Sequence, residues 1–209
     1  MIRLLLADDH AIVRSGLKQI FALHADVDVA AEAVNGHEVL ERLNCGPFDL
    51  LLLDLNMPGI NGSDLIRRVK SHQPDLPILV LTMHNEPQVA ARMLKAGASG
   101  YITKDCEPEV LLAALRKVAA HGKYIAPEIA EKMVFDVACD APALPHHRLS
   151  DRELEVFRLL ITGLGVNDIA TQLVISGKTV STHKTRMMEK LNANTLADLM
   201  RYAMAHALL

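Results

Sequence analysis

The chain has 209 residues, half of them apolar and 22% charged, with a mean hydropathy of +0.18 and a net charge of −3. Those values suit two ordinary globular domains and exclude a disordered polyelectrolyte. Charged residues interrupt every apolar stretch well short of the roughly 20 residues that span a bilayer, and no cleavable leader opens the chain, so a cytoplasmic protein with no membrane attachment is expected.

Residues 1 to 122 alternate short apolar runs with longer amphipathic ones. The runs Ile2 to Ala7, Val27 to Ala33, Leu50 to Leu53, Ile78 to Leu81 and Gly100 to Thr103 have strand length. Between them, stretches such as Ala11 to Leu23, Ser63 to Ser71, Pro87 to Ala96 and Glu109 to Ala120 repeat apolar residues every three or four positions, as helices do. The pattern is (βα)5. Uninterrupted apolar strands need cover on both faces, which predicts a doubly wound parallel sheet of flavodoxin-like type in an α/β domain.

Residues 123 to 147, with Pro127, Pro142, Pro145 and His146-His147, break any long period and read as a linker holding one short helix from Pro127 to Phe135. From residue 148 to 209 the pattern is all helical, predicting a four-helix domain. Ser150-Asp151-Arg152-Glu153 is a capping box that opens a helix ending near Gly163. Asn167 to Leu173, Lys178 to Leu191 and Thr195 to Ala207 follow as the second, third and fourth helices, with Ser176-Gly177 as the break between the second and third. Cys45, Cys106 and Cys139 are scattered and odd in number, so they are expected as reduced thiols and not as a disulfide frame or zinc site.

Charge separates these regions. Lys+Arg against Asp+Glu is 12 to 15 over residues 1 to 122, 2 to 4 over 123 to 147, and 8 to 6 over 148 to 209. An acidic first part and a mildly basic last part fit a control module joined to a module that meets a polyanion. With 3% aromatic residues and no Trp, stacking platforms for single strands or RNA loops are not expected, and duplex DNA read by a helix remains open.

In a doubly wound sheet, ligands bind beyond the carboxyl ends of the strands. The first run ends in Asp8-Asp9, the third in Asp54, the fourth in Thr82 and the fifth in Lys104. With strand order 2-1-3-4-5 these side chains converge on one edge. Taken singly, each has a plain reading: an Asp after a strand caps a helix, Thr82 satisfies a strand end, Lys104 is a solvated charge, and Tyr101 is a core aromatic. Together they suit a divalent ion. Magnesium favours oxygen ligands and is held by one or two carboxylates plus phosphate, which fits Asp9 and Asp54, with the Asn56 carbonyl as a further oxygen. A carboxylate beside such an ion can attack phosphorus and form an acyl phosphate; Asp54 is the candidate nucleophile, Lys104 the counter-charge and Thr82 the switch hydroxyl. Gly59 and Gly62, after Met57-Pro58, suit turn geometry better than phosphate binding.

The set Asp8-Asp9, Asp54-Leu55-Asn56-Met57-Pro58-Gly59, Gly62, Thr82, Gly97-Ala98, Tyr101 and Lys104 resembles the receiver domain of bacterial two-component response regulators. The resemblance implies that Asp54 accepts phosphate from the histidine of a sensor kinase, that Asp8, Asp9, Asp54 and the Asn56 carbonyl surround Mg2+, and that Thr82 and Tyr101 reorient together. The family often has proline after the lysine, whereas Asp105 stands here. Asn56 and His84 occupy positions where the family tunes phosphoryl lifetime.

In the last part, a turn between short helices suggests a helix-turn-helix, whose second helix enters the major groove. On Thr179 to Leu191, the residues Val180, His183, Met187 and Leu191 form one stripe expected to face the core. The opposite face presents Lys178, Ser181, Thr182, Thr185, Arg186 and Glu189, which is either a solvated surface or a DNA reader, with Lys184 as a further phosphate contact. Leu149-Ser150-Asp151-Arg152-Glu153, Asp168-Ile169-Ala170, Leu173, Ile175-Ser176-Gly177-Lys178-Thr179-Val180, His183 and Lys190-Leu191 look like the GerE or LuxR type domain.

Both halves together resemble response regulators of the NarL/FixJ family. This implies a DNA-binding transcriptional regulator, with Lys178, Thr179, Ser181, Thr182, Lys184, Thr185 and Arg186 at or near promoter DNA. Leu196, Leu199, Met200, Ala203 and Leu208 are either core or dimer surface; the resemblance implies a homodimer when phosphorylated or bound to DNA, and allows contact with RNA polymerase. A phosphatase and an adaptor that has lost DNA binding are the rival readings. The chain is expected not to be an enzyme, beyond assisting its own phosphorylation and dephosphorylation at Asp54.

Overall fold

A computed structural model describes residues 1–60, 62–138, 144–206 and 208, which fall into two compact units, Met1–Asp140 and Ala141–Leu209. Cys139, Pro142 and Ala207, which the sequence reading used, lie outside the described residues.

In the first unit, strands β1 (Ile2–Ala7), β2 (Val27–Ala33), β3 (Leu50–Leu53), β4 (Ile78–Thr82), β5 (Gly100–Thr103) and β6 (Tyr124–Ile125) form one parallel sheet in the order β2-β1-β3-β4-β5-β6. Helices α1 (Ala11–Ala22), α2 (Gly36–Cys45), α3 (Gly62–His72), α4 (Pro87–Ala96) and α5 (Pro108–Ala119) supply the crossovers. Leu50 through Leu53 are all at most 1% exposed, so β3 is covered on both faces, as its unbroken apolar run requires. Leu4, Leu6, Leu52, Leu81, Leu115 and Val118 share one core cluster in this unit.

Helix ends follow local chemistry. The Asn35 side chain accepts the Glu38 amide at the start of α2, and Pro87 and Pro108 open α4 and α5, where a missing N–H costs nothing. Gly97, at φ +119, closes α4 in the left-handed region that a side chain resists.

The sheet differs from the expected five strands by one. Tyr124 and Ile125 pair with Gly100 and Tyr101 as a sixth parallel strand, and helix α6 (Pro127–Ala138) follows, with Ile129 2% exposed. Both lie inside the segment read as linker, where a short helix from Pro127 was expected and the strand was not. A strand of two residues offers no alternation to detect, and its partner strand sits more than twenty positions upstream.

The second unit begins with a 3-10 turn (Pro145–Arg148), followed by α7 (Asp151–Ile161), α8 (Val166–Gln172), α9 (Gly177–Leu191) and α10 (Leu196–Ala205). The capping box forms: Glu153 N donates to Ser150 Oγ, and Ser150 N donates to Glu153 Oε2 at 2.7 Å. The Ser176 side chain accepts the Thr179 amide and opens α9, which Asn192 closes at φ +51. Val156, Phe157, Ile169, Val180, Met187 and Leu199 make its core. Lys190 Nζ donates to the same Glu153 Oε2 at 2.5 Å, tying α9 to the start of α7. Among the described residues, no helix is long and apolar enough to cross a membrane.

Candidate functional site

The sheet places the acidic residues next to one another by extending its own ladder. Asp54 N donates to the Ala7 carbonyl at 2.8 Å, which sets the residue after β3 against the end of β1. Lys104 N donates to the Thr82 carbonyl at 2.8 Å, which does the same for β5 and β4. Four strand ends thus present Asp8, Asp9, Asp54, Thr82 and Lys104 along one edge, the juxtaposition expected from the order of the strands. Asp8 is 1% exposed, Asp54 3% and Thr82 fully buried.

Lys104 Nζ lies 2.6 Å from Asp8 Oδ2 and 2.8 Å from Asp54 Oδ2. The other Asp54 oxygen accepts the Asn56 amide at 3.3 Å. Burial raises the Asp54 carboxyl above its ordinary range, and the adjacent ammonium offsets only part of that rise. For Lys104, burial pushes downward, but Asp54 and Asp8 outweigh it and hold the ammonium above its ordinary value. Three carboxylates against one ammonium leave an excess of negative charge in a desolvated setting.

Donor atoms of Asp8, Asp9, His10 and Asp54 all lie within 4.8 Å of one another. Asp8 Oδ2 and Asp9 Oδ1 are buried, the first facing only the Lys104 ammonium and the second only His10 Nδ1 among the described residues. Oxygens with unused lone pairs, closely spaced and short of positive charge, are the donor set that a hard divalent cation takes. The residues fit magnesium.

Thr82 and Tyr101 meet through a third residue. His84 N donates to Thr82 Oγ1 at 3.2 Å, and Tyr101 Oη donates to the His84 carbonyl at 2.9 Å, with the Tyr101 ring fully buried. The His84 ring also meets Asn56 Oδ1 through Nε2 at 2.8 Å. The loop after β4 is therefore fastened at once to the strand-end hydroxyl, the buried tyrosine and the loop after β3. Gly59 takes φ +93 in that β3 loop, and a Cβ on Gly62 would meet Leu55 Cδ2 at 2.6 Å, so both glycines serve the turn.

Two contributors escaped sequence reasoning. His10 joins the acidic cluster, and the run of three ligand-type residues Asp8-Asp9-His10 was the available signal. Arg14 donates from Nη1 to the Asp8 carbonyl at 2.8 Å, a contact with no sequence signature.

Residues 4–116 match the family described as the response regulator receiver domain. The chain is a response regulator. Its residues 147–203 match a second family, the bacterial regulatory proteins of the luxR family, which completes the NarL/FixJ arrangement of receiver and helix-turn-helix domain. Over 209 residues this response regulator is 34% identical to the response regulator UvrY of Escherichia coli O6:H1, an alignment covering 100% of this chain and 96% of UvrY. It is similar to RcsB of Salmonella enterica serovar Typhimurium solved bound to promoter P1flhDC in the presence of the phosphomimetic BeF3-, at 30% identity and TM-score 0.67, covering 96% of this chain and 97% of that one. A structure of two RcsB dimers bound to two parallel DNAs is similar at 30% identity and TM-score 0.60, covering 96% of both chains.

In the luxR-type part of this response regulator, α9 buries Val180, Met187 and Leu191, while His183 is half-buried. Lys178, Thr179, Ser181, Thr182, Thr185 and Arg186 are exposed, and Lys184 is partly so. The hydroxyls of Ser181, Thr182 and Thr185 donate to the carbonyls of Gly177, Lys178 and Ser181, one turn back. On α10, Leu199 and Ala203 belong to the core, whereas Leu196 is 41% and Met204 69% exposed.

Proposed function

We propose that this response regulator is switched by phosphorylation of Asp54 from the phosphohistidine of a sensor kinase, and that the switch governs binding of the luxR-type domain to promoter DNA. In the transfer, an Asp54 carboxylate oxygen attacks phosphorus, the phosphorus–nitrogen bond of the donor histidine breaks, and an acyl phosphate forms. The single observation that carries this reading is the meeting of Asp54 with Asp8 and Lys104 at a buried strand edge.

Asp8, Asp9, Asp54 and the backbone carbonyl of Asn56 would hold Mg2+, which when bound supplies positive charge to the phosphoryl oxygens. Lys104 adds its ammonium beside Asp54. Thr82 offers its hydroxyl to the new phosphoryl group, giving up its role as acceptor for the His84 amide, and Tyr101 follows because it is bonded to the same residue. The phosphate acts by stabilising one arrangement over the other, for which a differential of about 1 to 3 kcal/mol is typical. The same residues assist loss of the phosphoryl group, and no other substrate is turned over.

Promoter DNA would meet the exposed face of α9, in its major groove, through Lys178, Thr179, Ser181, Thr182, Lys184, Thr185 and Arg186. The RcsB complexes support this, as does a polar face that carries Lys178, Lys184 and Arg186 among its hydroxyls. The exposed Leu196 and Met204 favour α10 as the surface on which two copies pair, matching two half-sites. Contact with RNA polymerase would follow from promoter occupancy. The domains act as receiver over 1–122, connection over 123–147 and DNA reader over 148–209.

The test is footprinting on genomic fragments with and without a small phosphodonor, with mass spectrometry of the intact chain. Wild type should gain one phosphoryl mass and donor-dependent protection, and Asp54→Asn should gain neither. Donor-dependent protection in Asp54→Asn would overturn the assignment of the acceptor.

A further inference from the structure

Asp8 is engaged at each of its polar atoms. Its N–H donates to the Ala33 carbonyl at 3.1 Å, continuing the β1–β2 ladder, while Oδ1 accepts the His10 amide at 2.8 Å and Oδ2 faces the Lys104 ammonium at 2.6 Å. The carbonyl stands one residue past the end of β1 and meets a side chain, accepting from Arg14 Nη1 at 2.8 Å.

That guanidinium is gripped from two sides. Arg14 lies on α1, its own amide bonded to the His10 carbonyl at 3.1 Å, and its side chain is only 15% exposed. Its Nε donates to Glu32 Oε2 at 3.2 Å, and Lys18 Nζ donates to Glu32 Oε1 at 2.6 Å. The hydrogen bond from Lys18, joined by that from Arg14, outweighs burial and holds the Glu32 carboxyl below its ordinary range, so it is an anion at neutral pH. Glu32 belongs to β2, so one planar fork ties the start of α1 and the neighbouring strand to the peptide that joins Asp8 to Asp9. The plane of that peptide sets the directions in which both carboxylates leave the chain.

We propose that Arg14 is a positioning residue of the phosphoacceptor site, its fork fixing the Asp8–Asp9 peptide so that both carboxylates stand ready for Mg2+. This rests on the reading of the acidic edge as a magnesium and phosphoacceptor site. Charge and orientation act here with opposite signs. A cation beside the site repels a divalent ion and weakens its binding, whereas a fork that orients two carboxylates strengthens it.

The experiment compares full-length wild type, Arg14→Gln, Arg14→Lys and Asp9→Asn. Mg2+ is titrated calorimetrically without phosphodonor, labelling by a small phosphodonor is followed by mass across Mg2+ concentrations, and urea midpoints are recorded without Mg2+. Arg14→Gln should bind Mg2+ about tenfold more weakly, the loss expected when a group that orients metal ligands is removed. The Mg2+ concentration for half-maximal labelling should rise in step, while the rate at saturating Mg2+ stays close to that of wild type, because Asp54 and Lys104 are untouched. Arg14→Lys keeps the charge but loses the fork, so it should remain several-fold weaker than wild type. Wild-type Mg2+ affinity in both variants, with only the urea midpoint lowered, would make Arg14 a structural residue and overturn the proposal. Tighter Mg2+ in Arg14→Gln with wild-type affinity in Arg14→Lys would assign it a charge role and overturn it equally. Should Arg14→Gln not fold, Arg14→Lys decides by itself, since wild-type affinity there excludes the fork. If wild type takes no phosphoryl mass, or Asp9→Asn leaves Mg2+ affinity unchanged, the underlying reading of the acidic edge fails, whatever the Arg14 variants do.

Discussion

The Tyr101 hydroxyl donates to the His84 carbonyl at 2.9 Å while its ring stays fully buried beside β4. The aromatic body thus belongs to the sheet and the phenolic tip to the loop, so the side chain cannot change rotamer without breaking its bond to His84.

Removing that tether alone is a clean test of the coupling. Tyr101→Phe keeps the buried ring and deletes the bond, at an expected stability cost of about 1 kcal/mol. Hydrogen exchange should quicken at the amides following Thr82 and stay unchanged in β1 and β3. Equal quickening everywhere would mean that the hydroxyl supports the whole unit and not the loop.

A larger effect is expected at Lys104. Lys104→Met strands the Asp8 and Asp54 carboxylates without a cation, which should destabilise the first unit by about 3 kcal/mol. Millimolar Mg2+ should recover part of that loss in the variant and add less in wild type, read by urea denaturation under circular dichroism. A variant as stable as wild type in the absence of divalent ions would show that the Lys104 ammonium adds nothing to folding.

Acid should unfold the second unit through Glu153. Burial raises its carboxyl, but the Lys190 ammonium and the Ser150 hydrogen bonds outweigh that and bring it below the ordinary glutamate value. A carboxylate whose folded value is depressed stabilises the fold above its unfolded value and loses that contribution as pH falls through the folded one. Glu153→Gln should therefore lower stability by about 1 to 3 kcal/mol near neutrality and flatten its dependence below pH 5, measured by thermal melts across that range. A parallel shift at every pH would assign the loss to packing.

On DNA, Lys178 and the hydroxyl row should behave differently. Lys178→Ala should weaken binding to all fragments alike and reduce the slope of log affinity against log salt by about 0.9. The hydroxyls of Thr182 and Thr185 spend their protons on their own helix, so they are left chiefly as acceptors toward a base. Thr182→Val should then relax sequence preference while leaving the salt slope unchanged. A changed slope for Thr182→Val would place it on phosphate.

Much of this was legible in the residues. The short apolar runs pointed to the parallel sheet because a strand buried on both faces, as Leu50–Leu53 is, has nowhere to put a polar residue, and the polar residues ending four of the five runs marked the ligand edge. Asp8, Asp9, Asp54 and Lys104 meet as the strand order required, and the Ser150–Glu153 box opens α7 at the expected place. Features made by contacts distant in sequence stayed hidden. The Tyr124–Ile125 strand is too short to carry a period, the His84 imidazole meets Asn56 across 28 positions, and Lys190 reaches Glu153 across 37. His183 was expected in the core and is half-buried, with its Nδ1 buried and without a hydrogen bond among the described residues.

The sixth strand fastens the departing chain to Tyr101 itself. Ala126 N donates to the Tyr101 carbonyl at 3.1 Å, immediately before α6 begins. Because β6 runs parallel to β5, the polypeptide leaves the sheet at the end that carries Asp54. A shift of the residue 101 backbone would reach the outgoing peptide directly at the Ala126 amide, with no relay across the sheet.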